Sequence, residues 1–81
     1  MTMEKAEIQS KLTTIFRTIF GNDSLILTNE LTANDVENWD SLSHMLLITE
    51  IENSFSIKFK LKDLNKMRNV GDMLDVIISK L

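Results

Sequence analysis

The stretch Trp39-Asp40-Ser41-Leu42-Ser43-His44-Met45-Leu46-Leu47-Ile48-Thr49-Glu50-Ile51-Glu52-Asn53-Ser54-Phe55 decides how this chain folds. Its apolar members, Leu42, Met45, Leu46, Leu47, Ile48, Ile51 and Phe55, follow no strand-like alternation and predict a helix over 41–55. They spread well beyond one narrow stripe, so the helix must touch several neighbours or leave apolar surface in water. Asp40 or Ser41 stands where an N-cap belongs, ready to accept a hydrogen bond from one of the unpaired first-turn N–H groups. By itself, Asp-Ser-Leu here is an ordinary helix start followed by a leucine.

Upstream, Ile8, Leu12, Ile15, Phe16, Ile19 and Phe20 fall at offsets 0, 4, 7, 8, 11 and 12, one apolar stripe on a helix over 4–20. Glu4, Glu7, Lys11 and Arg17 are among its outward residues, and Gly21-Asn22 is the expected stop. Between the two helices lie about twenty residues, Gly21 to Asp40, with no strong period. Leu25, Leu27, Leu31, Val36 and Trp39 recur within them, which predicts a loop docked on the bundle and argues against disorder. Downstream, Leu61, Leu64 and Met67 support a short helix near 61–67. Val70, Met73, Leu74, Ile77, Ile78 and Leu81 form a last stripe, with Asn69 as its N-cap. The chain has no proline and two glycines. The expected fold is all-α: a four-helix bundle of three longer helices and one short helix, with a long ordered loop between helices I and II, as one domain over 1–81.

Eighty-one residues leave little room for an enclosed catalytic cleft. There is no cysteine, so thiol chemistry must come from a cofactor, and the single histidine, His44, makes no metal site alone. Residues 1–10 lack the apolar core of a signal peptide and no run is long enough to span a membrane, so the cytoplasm is the expected compartment. Net charge is −3, unevenly spread. Residues 1–55 carry nine acidic and three basic side chains, whereas 56–69 carry Lys58, Lys60, Lys62, Lys66 and Arg68 against Asp63 alone. The acidic body argues against a phosphate-backbone partner, and the basic stretch is what would support one.

Taken with this helix spacing and the long first loop, Asp40-Ser41-Leu42 resembles the core motif of the acyl carrier protein family. The resemblance continues through Ile51-Glu52-Asn53-Ser54-Phe55 to Phe59 and to Asn69-Val70 at the final helix, and so covers essentially the whole chain. It implies that Ser41 is the attachment point of 4′-phosphopantetheine, transferred from coenzyme A by a phosphopantetheinyl transferase with Mg²⁺. The chain would then carry acyl groups as thioesters for acyl-loading and acyl-processing enzymes, as a monomeric carrier and not an enzyme. Asp40, Leu42, Met45, Leu46 and Glu50 would be recognised by partners. A helix N-terminus, with unpaired N–H groups and a positive dipole end, suits a phosphodiester.

Leu42 either packs under the arm or is plain core. His44, one turn beyond Ser41, reads first as an exposed helix histidine and second as a group able to approach the phosphate. Trp39 reads as a loop anchor. Ser43 and Leu46 stand where carriers of primary fatty-acid synthesis often have acids, and Trp39 where they usually have a small residue. The Trp-Asp-Ser-Leu form looks more like discrete carriers of specialised pathways, polyketide-type ones among them. A peptidyl or D-alanyl carrier is the nearest alternative. A helical interaction or DNA-binding module using Lys58 to Arg68 is the alternative from another class.

Overall fold

A computed structural model describes residues 4–81, and every regular element among them is helical. Helix α1, Lys5–Phe20, turns Ile8, Leu12, Ile15 and Phe16 into the core and leaves Ile19 and Phe20 half-buried. It ends where the glycine stands: Gly21 takes φ 62°, a left-handed conformation that only glycine enters freely, and its N–H donates to the Arg17 carbonyl. Two cations of α1 work locally. Lys11 Nζ donates to the Ser54 carbonyl at 3.0 Å and lies 5.0 Å from the Phe55 ring centre. Arg17 Nε donates to the Leu25 carbonyl at 2.9 Å, drawing the next segment against the helix.

The long loop is ordered, as its apolar residues require. Leu25, Leu27, Leu31 and Trp39 pack partly buried against the core, and Val36 is buried. One element escaped the periodicity: a 3₁₀ turn, Ala33–Asp35. Asp35 Oδ2 accepts from the Thr32 N–H at 3.0 Å and from its hydroxyl at 3.2 Å, so Thr-x-x-Asp was the readable signal.

Helix α2, Ser41–Phe55, has the expected bounds and buries Leu47, Ile48, Ile51 and Phe55. Helix α3, Leu61–Asn65, is shorter than the expected 61–67. The Lys66 and Met67 N–H groups donate three residues back, to Asp63 and Leu64, and the chain leaves the helix in a tighter turn. Leu61 does not support α3 from the core side, since it is 76% exposed. Asp63 holds α3 instead: its carboxylate accepts from the Lys60 N–H at 2.8 Å and pairs with Lys80 Nζ at 2.8 Å. The Lys80 ammonium, then the Lys60 N–H, keeps this carboxyl below its ordinary range.

Helix α4, Val70–Lys80, is capped by Asn69, whose Oδ1 accepts from the Asp72 N–H at 2.8 Å. Its Val70 and Gly71 N–H groups donate to the Leu31 and Asn29 carbonyls at 3.0 and 2.9 Å. The long loop thus takes up two donors that a helix start leaves unpaired. Gly71 permits that approach, because a Cβ there would sit 3.1 Å from the Asn29 carbonyl oxygen. Helix α1 packs on α2 and on α4 around one core that includes Phe16, Leu47, Ile51, Met73 and Ile77.

Candidate functional site

Ser41 is the first residue of α2 and is exposed. The turn that delivers it rests on three neighbours. Asn38 adopts φ 72°, which asparagine tolerates better than most residues. The Ser43 hydroxyl donates to the Asn38 carbonyl at 2.7 Å and accepts from the Asp40 N–H at 2.8 Å. Asp40 is the N-cap, accepting from the Ser43 N–H at 3.0 Å. That N–H is the main cause holding the Asp40 carboxyl below its usual range. Of the two capping candidates, Asp40 and Ser41, Asp40 takes the role, so its carboxylate already occupies the Ser43 N–H at the start of α2.

A groove of about 520 Å³ opens beside Ser41 and Asp40, walled by Ala33, Trp39, His44, Met45, Met67 and Arg68. The 3₁₀ turn, the start of α2 and the connection from α3 to α4 therefore meet at one place. Arg68 Nε lies 3.6 Å from Asp72 Oδ2, and its side chain is largely in solvent. Met67 and Arg68 reach α2 through a non-helical connection, which no periodic pattern in the sequence announces.

Trp39 anchors the loop, as expected, by closing on α1. Its ring meets Phe16 edge-on at 5.2 Å and 85°, and Phe20 at 5.7 Å and 43°. Its indole Nε1–H donates to His44 Nδ1 at 3.0 Å. The two ring planes lie 18° apart with centres 6.0 Å from each other, the near-coplanar geometry of an edge-to-edge hydrogen bond. His44 is accordingly not an idle exposed residue. It is half-buried, and burial pushes its pKa below the ordinary 6.5. An indole N–H can only donate, so Nδ1 accepts and the proton of the neutral ring sits on Nε2.

The residues expected to meet partners divide among different surfaces. Asp40 and Met45 share the groove with Ser41. Leu42 is 75% exposed and Leu46 56%; neither is core, and neither lines the groove. Met45 is 54% exposed, so the three side chains leave an apolar face beside the serine. Glu50 lies on a separate groove of about 430 Å³ between α1 and α2, whose lining does not include Ser41. Glu52 has a structural task, accepting the Phe59 N–H at 2.8 Å. No helix among the described residues is long and apolar enough to cross a membrane.

No protein-family model matches the chain. Individual relatives do. An acyl carrier protein of Thermotoga maritima is 34% identical over 77 residues, 95% of each chain. A solution NMR structure of a holo acyl carrier protein from Geobacter metallireducens superposes with a TM-score of 0.84 at 50% identity. That match covers 89% of this chain and 83% of the other. A capped serine at the head of the second helix, a long docked loop before it and likeness over almost the whole length all agree: the chain belongs to the acyl carrier protein family.

Proposed function

We propose that this protein carries acyl groups as thioesters on a 4′-phosphopantetheine arm joined to the Ser41 hydroxyl. The observation that carries the reading is an exposed serine at the first position of α2, opening on a groove, in a chain of this family. When bound, the arm supplies the thiol that a cysteine-free chain lacks. The residues around Ser41 suit such a group. Asp40 fixes the start of α2, so the serine is presented at a defined place and remains reachable by a phosphopantetheinyl transferase with coenzyme A and Mg²⁺. Arg68 brings a cation to the groove to offset phosphate charge. The protein itself is not an enzyme in this reading; it is the bound substrate of others.

Partners meet it on the exposed apolar face of Leu42, Met45 and Leu46. The first turn of α2 holds no acidic residue, which supports apolar over charge-led recognition and service in a specialised pathway. The primary test is intact mass after incubation with coenzyme A, Mg²⁺ and a promiscuous phosphopantetheinyl transferase. A gain of one phosphopantetheine, absent in Ser41→Ala, supports the reading; no gain with several transferases refutes it. For the pathway, efficient loading and elongation by a housekeeping fatty-acid synthase would count against the specialised assignment.

A further inference from the structure

Groups beside Ser41 differ in how far their chemistry is already committed. The Asp40 carboxylate is engaged by the Ser43 N–H, and the Ser43 hydroxyl by Asn38 and Asp40. Arg68 lies near Asp72 through Nε. His44 differs from these. Its Nδ1 is taken by the Trp39 indole, while no described residue accepts a hydrogen bond from its Nε2–H. It stands three residues after Ser41 on α2, a spacing that puts side chains on neighbouring parts of one helix face, and both line the same groove.

We propose that His44, fixed in its Nε2–H form by Trp39, is a positioning residue that donates a hydrogen bond to the phosphodiester on Ser41. The proposal rests on Ser41 being the attachment site. A phosphodiester is an anion with acceptor oxygens, and here it would emerge next to the negative Asp40 carboxylate. A donor held at a set angle therefore decides where the first atoms of the arm lie. Trp39 supplies that angle, because it is wedged against Phe16 and Phe20 and cannot turn without leaving α1. The charged side chains lining the groove around His44 are Asp40 and Arg68, opposite in sign. Asp72, 3.6 Å from Arg68, offsets that cation, so the added anion deepens a field that is already net negative.

With one histidine in the chain, its signals need no assignment by mutation. Long-range ¹H–¹⁵N spectra of the imidazole, recorded against pH, are compared for the unmodified protein and for protein whose mass shows the arm in place. The expected neutral form carries its proton on Nε2 in both. On loading, the titration midpoint rises by about 0.7 of a pH unit, the effect of one unit charge ~4 Å away in water-like surroundings. The ³¹P resonance of the arm shifts with the same midpoint, and that inflection disappears in His44→Gln. Trp39→Phe keeps a ring on α1 but removes the donor, and both neutral tautomers then become populated.

A correct mass gain with an unmoved midpoint and no ³¹P inflection overturns the proposal and leaves Ser41 as the attachment site. A neutral ring protonated on Nδ1 overturns it as well. No mass gain removes both readings together.

Discussion

Replacing Trp39 by phenylalanine tests whether the loop is held onto α1 by the contacts described. The substitution removes the indole N–H that donates to His44 at 3.0 Å, a neutral hydrogen bond that contributes about 1 kcal/mol net. It also shrinks the ring facing Phe16 and Phe20, weakening aromatic contacts that contribute about 0.5–1.5 kcal/mol per pair. His44 is half-buried beside an open groove, so water can take up its freed Nδ1 and little further penalty arises. The expected loss is about 1–2 kcal/mol, against a total stability of roughly 4–12 kcal/mol for a domain of this length. With a urea m-value near 1 kcal/mol/M, the unfolding midpoint falls by about 1–2 M. Trp39 is the only tryptophan, so helix ellipticity replaces fluorescence as the probe. Ile26→Ala, at a side chain 72% exposed, should change stability by less than about 0.5 kcal/mol and serves as the control. A Trp39→Phe midpoint within about 0.3 M of the parent, at unchanged m-value, would refute the anchoring argument.

Leu47→Ala, at a fully buried side chain, should cost about 2–5 kcal/mol and, at the same m-value, lower the urea midpoint by about 2–5 M. Ser56 caps α2 at φ 55°, so Ser56→Gly should raise the melting temperature, and a lower value would contradict the left-handed cap. The Asp40 and Asp63 carboxyls are held below 3.8, so their stabilisation is fully present above that pH and is lost as pH falls through their lower folded values. Asp63→Asn should therefore flatten the acid limb of stability against pH. His44 is also depressed, so the unfolded chain takes up the proton first, and stability declines as pH falls below 6.5 toward its folded value. His44→Gln should remove that slope, and its persistence would assign the slope to another group.

The three longer helices were legible because each carries a repeating apolar pattern over eleven or more residues, and each has a stop or start that the structure uses: Gly21, Asp40 and Asn69. Helix α3 was legible only in outline. Its five residues span little more than one turn, and it is held by a charged pair between Asp63 and Lys80 that hydrophobic spacing does not register. Ser41 stood out as a candidate through its resemblance, not its chemistry, since a serine after a capping aspartate is commonplace. The Trp39–His44 hydrogen bond spans five residues and crosses the cap of α2, so no helical spacing rule reaches it. Arg68 reaches the same groove through a connection without any periodic pattern. Local repeats encode which faces are buried; the partners that meet across a loop depend on the assembled bundle.

The two amides at the head of α4 that bond to the Asn29 and Leu31 carbonyls bear on the order in which the chain assembles. The Asn29–Leu31 part of the loop gains these bonds only once α4 has formed, about forty residues further along the chain. Closing so wide an interval late sets an entropic toll on folding that grows only slowly with length. Amide exchange would register it: the Val70 and Gly71 protons should exchange together with the loop, ahead of those in the centre of α1.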